Sequence, residues 1–191
     1  MAQPNKATII ELRSYLKVID KFSKSNSSKS ALERAWDLAE NGNLKDALSI
    51  VECEIKAEPQ NPLPITIKGM FLREASRLEE AEKELKIALR IDPGHPAAWG
   101  QLGLIWRERG FYQKAAFCFQ QLVEKVKDHS AFTLLADSQL AFDPQAALSS
   151  AKQALQYKPD FDEALEILRL AQESLESKKK GTLFLPSTNE S

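Results

Sequence analysis

The sequence is poor in the residues from which most catalytic and metal sites are built. It has two cysteines, two histidines and seven glycines in 191 residues. Cys53, Cys118, His95 and His129 have no neighbouring ligands at metal-binding spacing. Glycine loops that hold phosphate and serines in a nucleophile-elbow motif are absent from the sequence. We therefore expect no catalytic residue, no metal and no cofactor, and a protein that is not an enzyme.

The sequence also has no large excess of charge and no long apolar run. Its 26 basic and 27 acidic residues nearly cancel, so it lacks the basic surface that nucleic acid requires. No run reaches the roughly eighteen apolar residues of a membrane span. Glu11, Arg13, Lys17 and Asp20 interrupt the place where a signal peptide would be apolar. The two cysteines are expected to be buried free thiols in a reducing compartment, so we expect a cytoplasmic protein.

What the sequence does contain is a repeat, marked by two kinds of residue. Small residues recur at intervals of 34, 34 and 32, at Ala47, Ala81, Ala115 and Ala147. Prolines recur in step with them, at Pro59, Pro93 and Pro159, and Lys127 occupies the place of the missing one. A small side chain lets two helices approach closely, and proline cannot continue a helix. Two markers in register therefore predict stacked helical pairs.

The third repeat, from Pro96 to Lys127, has the clearest sequence pattern. It contains an ordered series of aromatic, small and apolar residues, namely Trp99, Leu102, Gly103, Gly110, Tyr112, Ala115 and Phe119. This series resembles the tetratricopeptide repeat (TPR), a helix-turn-helix unit of 34 residues. The resemblance covers roughly Ser30 to Ser177. It implies an all-α, right-handed α-solenoid of about four TPR-like repeats, with an N-terminal docking helix and a C-terminal capping helix.

The segments on either side of the array are predicted to differ from it. Residues 1–29 are expected to contain an amphipathic helix, with Ile9, Leu12, Leu16 and Ile19 on one face, and then a Ser-rich linker. The array with its capping helix covers residues 30–177, and residues 178–191 form a flexible tail. The apolar tail motif Leu183, Phe184 and Leu185 is either a docking motif for a partner or a segment that folds back onto the array.

The resemblance also implies a partner-binding groove on the concave face, lined by the first helix of each repeat. In the repeat register, the groove positions hold Trp36, Met70, Arg73, Leu104 and Arg107. The basic clamp with which some family members hold a carboxylate is absent, so an apolar groove is expected. Two alternatives stay open. The large residues can pack between neighbouring first helices, or the N-terminal helix can fill the groove, in the same chain or from another copy.

The function that follows is a non-enzymatic scaffold, adaptor or chaperone that binds a segment of another protein in the concave groove. The alternative is a structural subunit of a larger assembly, held through the N-terminal helix and the C-terminal tail. Partners are expected to be proteins or peptides, and homo-oligomers can form through the N-terminal helix. Nucleic acid and a membrane span are not expected.

Overall fold

The computed structural model of the chain describes residues 26–182, and the side chains of residues 31–177. This part of the chain folds into nine α-helices and contains no strand. They are α1 Asn26–Glu40, α2 Leu44–Ala57, α3 Pro62–Glu74, α4 Leu78–Ile91, α5 Pro96–Glu108, α6 Tyr112–Lys125, α7 His129–Leu140, α8 Pro144–Tyr157 and α9 Asp162–Thr182. The predicted N-terminal helix and the motif Leu183 to Leu185 lie outside the described residues.

The helices end where the sequence markers predicted that they would. Each closing proline follows the last helical residue by two positions, as Pro93 follows Ile91. The turns inside the first three repeats each contain a residue with a left-handed backbone, which glycine adopts without strain. Gly42 and Gly110 supply it with φ angles of 82° and 78°. Ser76 takes the same role between α3 and α4 with a φ angle of 59°.

The chain divides into two compact units, called unit 1 and unit 2, each of which contains more than one repeat. Unit 1 extends to Ile105 and contains α1 to α4 and most of α5. Its core includes apolar side chains of α1, α2 and α3, among them Trp36, Val51 and Phe71. The repeat-marking alanines Ala47 and Ala81 are completely buried. A close contact joins α3 to α4, because a Cβ added to Gly69 would lie 2.8 Å from Leu85 Cγ. The small residues therefore allow the predicted close packing of helices.

Unit 2 begins at Trp106 and contains the end of α5 and helices α6 to α9. Neighbouring helices pack in chain order, and α9 contacts both α7 and α8. Ala136, Ala151 and Ile167 form a small core between these three helices. The polar residues predicted on the outer side of α9 are exposed, as the last helix of a repeat array requires.

The structure differs from the sequence-based expectations at three places. Helix α1 begins at Asn26, inside the stretch predicted to be a linker. Helix α9 continues to Thr182, five residues beyond the predicted capping helix. The apolar spacing of Ala164, Leu165, Leu168 and Ala171 predicts one buried side of α9, but Leu165 is 42% exposed and Ile167 is buried instead. Among the described helices, none combines the length and the apolar character that crossing a membrane requires.

Candidate functional site

The predicted groove residues of unit 1 are mostly buried. Trp36 on α1 is 6% exposed and Met70 on α3 is 2% exposed. The Trp36 ring meets Phe71 edge-on, with ring centroids 5.0 Å apart. Both Trp36 and Met70 belong to the core that also contains Leu32 and Val51. The contact between Trp36 on α1 and Phe71 on α3 joins the first helices of two neighbouring repeats.

Arg73, the third predicted groove residue, is also buried. Its guanidinium Nη2 donates to Glu74 Oε1 at 2.7 Å, and the two side chains are only 5% and 15% exposed. A buried guanidinium requires such a partner because an unpaired charge away from water is costly. The side chain therefore lies inside unit 1, not on an open surface.

The other two predicted groove residues, both on α5, are more accessible. Leu104 is half-buried. Arg107 in unit 2 is 35% exposed at its side chain, and its Nη1 donates to Asp137 Oδ2 on α7 at 3.0 Å. This ion pair joins the first helices of two successive repeats. Because it is partly solvated, it contributes little to stability.

An exposed cluster in unit 2 was not predicted from the sequence. The Trp106 and Phe111 rings meet edge-on, with their centroids 5.6 Å apart. Lys114 Nζ lies 4.3 Å from the Trp106 ring centroid and 5.0 Å from that of Phe111, and Arg109 Cζ lies 5.5 Å from Trp106. We call these four residues the aromatic–basic cluster. Its sequence signal is the helical spacing of Phe111 and Lys114 just after the turn glycine.

The cluster has two features of an interaction surface. Phe111 is 51% exposed, and Tyr112 beside it is 43% exposed. Lys114 forms no ion pair with a carboxylate in the described part of the chain, so its charge is balanced only by ring faces. Aromatic side chains and arginine are enriched where proteins bind each other, and the cluster contains two aromatic rings and Arg109.

The titratable groups of the described residues do not assemble into a reactive site. Between residues 26 and 182, no three metal-binding side chains lie together. His95 is buried, and this burial lowers the pKa of its imidazole, while Asp92 at 3.6 Å opposes the shift more weakly. Burial raises the pKa of the Cys118 thiol to about 12. Cys53 is exposed, which corrects the expectation that both thiols are buried.

In residues 26–182, four successive helix pairs and a ninth helix, with completely buried repeat-marking alanines, form an all-α repeat fold. Similar solved structures confirm the predicted TPR fold. An N-terminally shortened MamA from Desulfovibrio magneticus superposes with a TM-score of 0.69 at 16% identity, over 84% of this chain and 92% of that one. A TPR protein from Parabacteroides merdae superposes with a TM-score of 0.68 at 17% identity, over 80% of this chain and 62% of that one.

Further similarities involve subunits of protein complexes. A structure of Naa15/Naa10 bound to HypK superposes with a TM-score of 0.68 at 20% identity, over 84% of this chain and 26% of that one. An N-terminal acetyltransferase A complex subunit-like protein of Schizosaccharomyces pombe is 25% identical over 144 residues. These residues are 75% of this chain, which spans about a fifth (19%) of that relative's length. No protein-family model matches the chain.

Proposed function

We propose that the protein is a non-enzymatic, cytoplasmic scaffold or adaptor that holds a segment of another protein. The observation that carries this proposal is the aromatic–basic cluster, because its Phe111 ring remains exposed although both units contain buried cores. The fold supports it, since similar structures include Naa15/Naa10 bound to HypK. The partner segment is expected to carry a carboxylate for Lys114 and an apolar side chain for Phe111.

The predicted groove contributes to this proposal through its two accessible positions. Leu104 and Arg107 remain candidates for contact with the partner, whereas Trp36, Met70 and Arg73 would act through the packing of unit 1. Charged substitution of Trp36 or Met70 is therefore expected to unfold unit 1, since it places a charge in its core. Loss of binding in such a variant would say nothing about a groove.

Affinity capture with the full chain tests the proposal. The double variant Phe111→Ser, Lys114→Glu is expected to lose partners that the wild-type chain retains. The matched control is Phe142→Ser, Lys152→Glu, which removes an exposed aromatic ring and reverses an exposed lysine elsewhere in unit 2. Circular dichroism should show unchanged helix content for both. Equal retention of every partner by the two variants would contradict the role of the cluster.

The second candidate function is a structural subunit of a larger assembly. It is supported by the similarity to an acetyltransferase complex subunit-like protein. Under this alternative, the predicted N-terminal helix and the motif Leu183 to Leu185 provide attachment. A chain limited to residues 26–182 would then be lost from its complex, while the cluster variant would remain in it. An adaptor gives the opposite result.

A further inference from the structure

A cleft in unit 2 lies apart from the aromatic–basic cluster. It has a volume of about 460 Å³, within the range of clefts that hold small ligands and peptide side chains. The end of α6, the end of α8 and Phe132 near the start of α7 form its walls. It therefore lies at the junction between the third and fourth repeats.

The cleft coincides with two departures from the repeat. In the third repeat, Trp99 Nε1 donates to the carbonyl oxygen of Pro93 at 2.8 Å, which ties the first helix to the preceding turn. The fourth repeat has Phe132 in place of the tryptophan and Lys127 in place of the proline. Phenylalanine has no N–H to donate, so this tie cannot form, and both substituted residues line the cleft.

The side chains of the cleft suit an uncharged, extended segment with a large apolar residue. Phe132 and Tyr157 are stacked, with ring centroids 5.8 Å apart and planes 15° apart, and Tyr157 is 51% exposed. Glu124 and Lys127 contribute one charge of each sign. Three glutamines, which can both donate to and accept from a peptide backbone, complete the lining: Gln120, Gln153 and Gln156.

We propose that this cleft binds residues 183–186 of a second copy of the chain. This segment, Leu-Phe-Leu-Pro, has no charged residue and places Phe184 between two leucines. A neutral segment matches the balanced charges of the cleft. The Phe184 ring would lie against the exposed face of Tyr157, and the glutamines would bind the extended backbone.

The length of α9 prevents this segment from binding in the cleft of its own chain. The ring centroids of His129, the first residue of α7, and Phe161, just before α9, are 4.7 Å apart. Helix α9 therefore begins beside the start of α7, where the cleft lies. Its 21 residues carry the chain about 31 Å away at 1.5 Å per residue. Two further residues from Thr182 to Phe184 span at most about 7 Å. With α9 intact, Phe184 cannot return to its own cleft.

Sedimentation of the full chain tests the proposal. The wild-type chain is expected to self-associate, and Phe184→Ser and Tyr157→Ser should each weaken association about tenfold or more, since each removes a central aromatic ring. An equimolar mixture of the two variants should associate more strongly than either alone, because it restores one intact pair. Phe142→Ser, which removes an exposed ring outside the cleft, should associate like the wild type.

A labelled synthetic peptide of residues 181–188 provides a second measurement. It should bind the Phe184→Ser chain and lose binding when Tyr157→Ser is added, with unchanged melting temperatures. Three results would overturn the proposal: a monomeric chain that does not bind the peptide, association that Tyr157→Ser leaves unchanged, or a cleft variant that loses another protein but still self-associates. None of these results bears on partner binding at the aromatic–basic cluster.

Discussion

Gly69 is the position at which a single methyl group should disturb the packing of unit 1. A Cβ there would lie 2.8 Å from Cγ and 2.9 Å from Cδ2 of Leu85, whose side chain is completely buried. The buried Leu85 side chain would have to shift within a packed interior, so Gly69→Ala should lower the free energy of unfolding by about 1–3 kcal/mol. Urea denaturation measures this loss.

The control for Gly69 is a double-mutant cycle with Leu85→Ala. The smaller side chain at position 85 removes the clashing atoms, so Gly69→Ala should cost less in that background. If the two losses simply add, the contact with Leu85 is not the cause of the destabilisation.

The two cysteines should differ sharply in reactivity. Cys53 is exposed, whereas burial raises the pKa of Cys118 to about 12 and so removes the thiolate that reacts. A thiol reagent at pH 8 should therefore modify one cysteine of the native chain and both in denaturant. Cys53→Ser should abolish the native reaction and Cys118→Ser should leave it intact. Reaction of both thiols at equal rates in the native chain would contradict the buried position of Cys118.

His95 should make the stability of unit 1 depend on pH. Burial lowers its pKa in the folded chain, so protonation favours the unfolded state. Its contribution to the free energy of unfolding is complete above the unfolded pKa of about 6.5 and is lost as the pH falls towards the folded value. Urea denaturation at pH 7.5 and pH 5 should show a smaller loss in His95→Gln than in the wild type. An equal loss would assign the pH dependence to other groups.

At the scale of helices, both helices of the fourth repeat begin at an aspartate that caps them. Asp128 Oδ1 accepts from the Ala131 amide at 2.7 Å, and Asp143 Oδ1 accepts from that of Ala146 at 3.0 Å. Asp128→Ala should therefore cost about 1 kcal/mol, while Asp128→Asn keeps an oxygen acceptor and should cost much less. Thermal unfolding measures both variants, and equal losses would show that capping is not what Asp128 contributes.

The elements were largely predictable because their signals are local. The alanines that mark the repeats, Ala47, Ala81, Ala115 and Ala147, are all completely buried. Where helix ends were missed, at Asn26 and Thr182, the sequence contains no glycine turn or proline that stops a helix at the predicted residue.

The binding surface was less predictable because exposure depends on neighbouring helices. Trp36 and Met70 were predicted to line a concave groove, and both are buried in unit 1. The sequence gives the apolar character of such a position but not which other helix covers it. The contact of Trp106 with Phe111 likewise depends on the geometry of the turn at Gly110, which brings two helices together.

At the scale of the whole molecule, the repeats should lose stability locally. In a repeat array each repeat interacts mainly with its neighbours. The free energy of unfolding is therefore a sum of local contributions and does not depend on one core. Gly69→Ala should therefore increase amide hydrogen exchange in α3 and α4 far more than in α8 and α9. Asp128→Ala should produce the opposite distribution. Mass spectrometry of peptic fragments measures both, and a uniform increase along residues 26–182 in either variant would instead indicate one cooperative unit.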